Sequence, residues 1–212
     1  IDLNKTVAMI EAATSAMKQI AKSGKKILFV ATKKQAKNIV AETAKELNMP
    51  YITERWPGGL LTNFATIRKS IKKMDGIDKM KVDGTFDTLS KRERLQINRT
   101  REKLELNFGS IVKMNRMPEA IFIVDINKEH IAVKESQKLG IRSFGITDTN
   151  TNPSFVNFPI PGNDDASKSI ECIMKIIHEA VSEGLEERSN EMDKKAVEKK
   201  DKAKKISEES KK

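Results

Sequence analysis

The sequence predicts an α/β protein, a parallel sheet covered by helices on both faces, with an antiparallel helical hairpin inserted between its two halves. Three observations carry this. Short runs such as Ile27 to Ala31 and Ala120 to Val124 are apolar without alternation, and they alternate with stretches whose apolar residues recur every three or four positions. That is the pattern of strands buried on both faces between amphipathic helices. The alternation breaks over residues 63–117, where two narrow apolar stripes stand instead. The same segment holds 14 Lys and Arg against 7 Asp and Glu, so it carries +7 of the chain's net +10.

The elements follow in order. Val7, Ile10, Ala13, Met17 and Ile20 mark a first helix that stops at Gly24. The Ile27 to Ala31 strand comes next, and Thr32 with Gln35 forms a capping box that opens a second helix through Ala36, Ile39, Val40 and Leu47. A short strand is expected near Tyr51 and Ile52. In the insertion, Phe64, Ile67, Ile71 and Met74 form one stripe, and Ile97, Leu104, Phe108 and Ile111 the other, with Arg101 taking a place in it. Asp83 and Gly84 mark the turn between them, and Ser90 with Glu93 makes a second capping box. Two helices that bury one seam and stay wet elsewhere need stripes of this width. After the Ala120 to Val124 strand, a helix from about Asn127 stops at Gly140 and a strand spans Ser143 to Thr147. Ile170, Ile173, Met174, Ile177 and Val181 mark a last helix ending at Gly184, with Cys172 beside its core face. The domain reading is therefore 1–62 with 118–184 as one discontinuous α/β unit, 63–117 as the inserted basic hairpin, and 185–212 as a charged tail, frayed helix or disordered.

Composition narrows the function. With 212 residues, 38% hydrophobic and 33% charged, the chain supports one core plus extensions. Its apolar runs are far shorter than the roughly 20 residues needed to span a bilayer, so no membrane partner is expected. Localised positive charge points to a polyanion, most simply a nucleic-acid backbone. The lone cysteine cannot make an internal disulfide, which fits a reducing cytoplasm. The chain opens at Ile1 without an apolar signal region and reads as trimmed.

The densest motif is Arg55-Trp56-Pro57-Gly58-Gly59-Leu60-Leu61-Thr62-Asn63. Gly58 and Gly59 leave no side chain between the backbone and a ribose-phosphate, Arg55 can fork onto a phosphate, Trp56 packs at the base, and a helix start just after Asn63 offers unpaired donors. The competing reading is that the glycines only turn the chain and the tryptophan only packs. Lys33 and Lys34 follow a strand and open a helix, where ligands meet an open parallel sheet, though lysines at such a place are commonly just solvated. The hairpin's outer face carries Arg68, Lys69, Lys72 and Lys73, with Arg92, Arg94 and Arg99 on the second helix. Asp125, Asp148, Asp164 and Asp165 fall past strand ends or at a helix start; clustered carboxylates can hold a divalent cation, but Asp164 and Asp165 serve equally well as helix caps, and His130 and His178 read as structural. No metal ligand set and no cofactor is expected. The patterns G-x-G-x-x-G, G-x-x-x-x-G-K-[ST], G-x-S-x-G and H-E-x-x-H are all missing from the sequence, which weighs against a nucleotide-binding or hydrolytic enzyme. A phospho-acceptor domain, suggested by Asp125 at a strand end, would not carry a basic insertion of this length.

Ile27 to Ala36, Arg55 to Asn63, Thr66 to Lys72, Asp83 to Phe86 and Ile160 to Asp165 together closely resemble the bacterial small-subunit ribosomal protein S two family, in order from Ile1 to about Gly184. The resemblance implies a flavodoxin-like three-layer domain with an inserted coiled-coil hairpin. It also implies a structural, non-enzymatic role in the small ribosomal subunit, in contact with small-subunit rRNA and with other small-subunit proteins, among them the large mRNA-binding ribosomal protein S one. On that reading Lys33, Lys34, Arg55, Trp56, Gly58, Gly59, Asn63, Arg68, Lys69, Lys72 and Lys73 are the candidate RNA contacts. Family members carry a Gly-x-His-x-Gly-His type segment and a first strand ending where Ile1 and Asp2 stand, so those histidines have no counterpart in this sequence.

Overall fold

The computed structural model describes the backbone of residues 1–209 and the side chains of residues 1–192. Eleven α and β elements make up the fold, starting with α1 (Leu3–Lys22), β1 (Ile27–Val30), α2 (Lys34–Glu46) and β2 (Tyr51–Ile52). Two long helices follow, α3 (Phe64–Val82) and α4 (Lys91–Phe108). Then come β3 (Ala120–Val124), α5 (His130–Leu139), β4 (Arg142–Thr147), β5 (Phe158–Pro161) and α6 (Ser167–Glu209). All strand pairs are parallel and their order is β2-β1-β3-β4-β5, the flavodoxin-like arrangement of a doubly wound sheet.

Alternate residues of the same strands feed two cores. Ile27, Phe29, Phe122, Phe144 and Ile146 pack under α1, α2 and α6. Leu28, Val30, Ile121 and Ile123 pack on the other face against α5, the 56–61 segment and the root of α3 and α4. Phe29, Phe122 and Phe144 are fully buried, each contributing roughly 1.5–3 kcal/mol by removal from water. Both faces are thus covered, as continuous apolar strands require.

Residues 64–108 form two antiparallel helices. Arg101 pairs with Asp78 across the seam, and Arg68 at the root reaches the Met114 carbonyl at 3.3 Å. Ile67, Ile71, Met74 and Ile77 are buried on α3, whereas Phe108 is the one buried residue of α4. A charged residue is tolerated in the stripe because its partner is a carboxylate on the facing helix. Gly84 turns the chain in the left-handed region (φ +74°), and the Ser90–Glu93 capping box is formed.

Three expectations are corrected, and one strand, β5, was not foreseen. The Thr32–Gln35 capping box is absent: α2 starts at Lys34 with no side-chain cap, because the Thr32 hydroxyl donates to Glu129 instead. The strand β5 carries no apolar alternation that a sequence reading could use. Its Phe-Pro-Ile-Pro sequence is tolerated because it is an edge strand, where a missing N–H costs no internal ladder bond. Gly184 does not end the last helix, since α6 runs on to Glu209. It is instead where α6 meets α1: a Cβ there would lie 2.6 Å from the Lys18 carbonyl oxygen and 3.0 Å from Ala21 Cβ. Lys18 and Lys22 on α1 then hold Glu183, Glu187 and Glu191 on α6 at 2.9–3.1 Å. Cys172 is exposed rather than packed beside the core. Of the charged tail, residues 210–212 lie outside the described residues.

Candidate nucleic-acid interface

The Arg55 to Asn63 motif runs from β2 to α3, and a residue 72 positions beyond it decides its shape. Glu135, buried on α5, accepts hydrogen bonds from the Trp56 indole (3.1 Å), from the backbone N–H groups of Gly59 (2.7 Å), Leu61 (2.9 Å) and Thr62 (3.1 Å), and from the Thr62 hydroxyl (3.3 Å). Burial alone would push this carboxyl up, but the hydrogen bonds from Thr62, Trp56, Gly59 and Leu61 outweigh it and hold Glu135 below the usual glutamate range. The loop is therefore an anion nest already filled from inside the protein. Its amides at Gly59, Leu61 and Thr62 face Glu135, not solvent.

The rest of the motif divides accordingly. Trp56 is 5% exposed, and Gly59 takes φ +84°, a conformation that a side chain would strain. Arg55, Gly58 and Asn63 are exposed, and a Cβ at Gly58 would meet nothing within 4 Å. Asn63 Oδ1 accepts the Thr66 hydroxyl at 2.8 Å. The motif thus presents Arg55 and the Gly58 backbone outward from a base fixed by Glu135.

On the hairpin, Lys69, Lys72 and Lys73 of α3 and Arg92 and Arg99 of α4 are exposed. Arg68 is turned inward to Met114 and to Asn115 Oδ1 (2.9 Å), so it braces the root of the hairpin. What joins these lysines to the Arg55 motif is the direct run of chain from the motif into α3.

Lys33 and Lys34 part company. Lys34 is exposed at the start of α2. Lys33 is half-buried, with its ammonium 2.6 Å from Asp165, 2.7 Å from Asp164 and 3.4 Å from Asp125. Burial alone would lower that ammonium, but hydrogen bonds to Asp164 and Asp165 raise it well above the ordinary lysine value. Asp164 is pushed up by burial first, with Asp125 and Asp148 adding repulsion against the pull of Lys33. The carboxylate oxygens of Asp148, Asp164 and Asp165 come within 4.8 Å of one another, and these three residues could hold a divalent cation. Lys33 already supplies a positive charge to the same cluster. Glu129, raised by burial, accepts from Thr32, and Lys128 reaches the Thr32 carbonyl at 3.3 Å. This is the carboxyl-terminal rim of the sheet, where open α/β folds bind ligands, and it is acidic.

Glu135 is the functional residue that the sequence reading did not single out. The available signal was a charge standing beside Ala132, Val133 and Ser136 on the buried face of α5. No helix among the described residues is long and apolar enough to cross a membrane.

Comparison with known proteins points one way. The family model of ribosomal protein S2 matches residues 1–184. A small ribosomal subunit protein uS2 of Flavobacterium johnsoniae is 63% identical over 198 residues, 93% of this chain and 78% of the relative. Proteins of the same name from Parabacteroides distasonis and Porphyromonas gingivalis are 61% and 60% identical over 191 residues, 90% of this chain and 69% and 68% of theirs.

Proposed function

The chain belongs to the ribosomal protein S2 family, and from that premise we propose that it serves the small ribosomal subunit as a structural constituent that holds rRNA and neighbouring ribosomal proteins in place and catalyses nothing. The observation that carries the reading is the outward charge of residues 63–117. Lys69, Lys72, Lys73, Arg92 and Arg99 stand exposed on two helices whose inward residues are used for packing, so the insertion is a basic arm projecting from an α/β body. Phosphate contacts from such an arm position a protein on RNA without reading its sequence. Arg55, the Gly58 backbone and Asn63 extend the same face at the junction with the sheet, and Lys34 adds a further exposed cation. Trp56, Gly59 and Arg68 support these contacts from behind, whereas Lys33 is held in the acidic rim by Asp164 and Asp165.

The large mRNA-binding ribosomal protein S one is a neighbour that the family resemblance supports, and a cytoplasmic location accords with the lone cysteine.

The test is rebinding to small subunits depleted of this protein. Lys69→Glu, Lys72→Glu and Lys73→Glu together should weaken binding and flatten its salt dependence, by about 0.9 unit of slope for each duplex phosphate that is no longer neutralised. Arg68 stays unchanged because it braces the root. A combined variant that keeps the original salt slope would show that the arm faces protein or solvent.

A further inference from the structure

At the opposite, amino-terminal edge of the sheet, three segments distant in sequence bring cations together. Lys25 and Lys26 precede β1, Lys113 and Arg116 lie in the connection before β3, and Arg188 comes from α6. A cavity of about 410 Å³ is lined by Lys25, Lys26, Lys113, Arg116 and Glu119, and a second of about 210 Å³ meets it at Lys26 and Lys113. The Arg188 guanidinium lies directly over Gly24, where a Cβ would come within 2.2 Å of its Cζ. Only glycine leaves room for that approach.

The cluster has little internal compensation. Its one acidic lining residue, Glu119, is taken by Lys25 at 2.8 Å. Among the described residues, Lys26, Lys113, Arg116 and Arg188 make no ion pair, and Lys26 donates only to the Asn48 carbonyl, at 2.7 Å. Partial burial, then the nearby Arg188 and Lys113 charges, hold the Lys26 ammonium below the ordinary lysine range. Gathering like charges is unfavourable in the free protein, and a bound anion would relieve it. The Arg68 hydrogen bonds to Met114 and Asn115 fix the connection that carries Lys113 and Arg116, which joins this edge to the root of the basic arm.

We infer that Lys26, Lys113, Arg116 and Arg188 form a second phosphate-binding site for ribosomal RNA at the amino-terminal edge of the sheet, separate from the outer face of the hairpin. The inference rests on the ribosomal reading above. RNA suits the site because Lys26, Lys113, Arg116 and Arg188 make no ion pair among the described residues, and four such cations around an open cleft match a run of backbone phosphates. It accounts for a cluster that stability alone does not explain, since like charges at this edge repel one another.

The experiment compares the full chain with a Lys26→Gln, Lys113→Gln, Arg116→Gln variant in rebinding to depleted small subunits across a salt gradient. A Lys168→Gln, Lys175→Gln variant, altered at exposed lysines elsewhere on α6, serves as the control. Arg188 is kept because it packs over Gly24. The expected result is a salt slope lower by about two to three units for the triple variant at the per-phosphate value above, an unchanged slope for the control, and unchanged or higher thermal stability for both. In rebound wild-type particles, a crosslinker with one lysine-reactive arm and one photoactivated arm that inserts into nucleic acid or protein should join Lys26 and Lys113 to rRNA. An unchanged slope, or crosslinks to protein alone, overturns the inference. Failure of the wild-type chain to rebind at all would instead remove the ribosomal premise.

Discussion

Glu135 shows how one side chain can settle the character of a loop. A buried carboxylate that accepts five hydrogen bonds is held in its charged form, and the backbone donors it satisfies would otherwise be buried without partners. Glu135→Gln preserves the shape but replaces the carboxylate with a single amide oxygen, and it should lower stability by about 1.5–3 kcal/mol, the range for hydrogen bonds to a charged group. Because the folded-state value is depressed, the stabilisation is fully present above the unfolded glutamate value of about 4.3 and is lost as pH falls through the folded value. Urea denaturation between pH 7 and pH 3 should show wild type and variant converging in acid. A gap that stayed constant across that range would mean that packing, not the charge, is what the substitution disturbs.

At the scale of elements, the readable signals are those with no tertiary competitor. Ser90 and Glu93 sit on an exposed helix start and form the capping box that their spacing predicts, while Thr32, with the same local pattern, gives its hydroxyl to Glu129 from 97 positions away. The apolar runs of β1 and β3 were legible because both of their faces are buried, and β5 was not, because two prolines suppress strand character at a place where the edge tolerates them. Gly184 is the clearest case of a local rule overridden. Exchanging a mid-helix glycine for alanine ordinarily stabilises by about 1 kcal/mol, and Gly76→Ala in α3, where a Cβ meets nothing, should follow that rule. Gly184→Ala should do the reverse, since its Cβ would press on the Lys18 carbonyl and force α1 and α6 apart. Overpacking of about 1–3 kcal/mol corresponds to a fall in Tm of several degrees for a chain of this size. Scanning calorimetry of both variants decides it, and a Gly184→Ala protein as stable as wild type would show that the two helices separate without strain.

Over the whole molecule, charge is sorted by position. The hairpin and the amino-terminal edge of the sheet are basic, whereas the carboxyl-terminal rim gathers Asp125, Glu129, Asp148, Asp164 and Asp165 around Lys33 and Lys128. The sequence made the first half of this visible, because the hairpin's lysines are contiguous in the chain. Of the second half, the sequence placed Asp125, Asp148, Asp164 and Asp165 past strand ends, but not their closure around Lys33 beside Glu129 and Lys128, because those groups come from the ends of different strands and meet only when the sheet forms. The consequence bears on what the fold can bind. A doubly wound sheet offers a nucleotide its carboxyl-terminal crevice, where a glycine-rich turn and a helix start receive the phosphates. Here the turn after β1 is Ala31-Thr32-Lys33, without glycine, and its one inward cation is held by three aspartates. A phosphate entering would meet five carboxylates and two ammonium groups, of which Lys33 would first have to leave its own partners. Titration calorimetry with ATP, GTP, NAD and FMN should therefore show no binding in the micromolar range, at low salt as well as high. A micromolar response to any of the four, lost in a Lys33→Ala variant, would mean that the acidic rim opens to phosphate after all and that the α/β body has a ligand of its own.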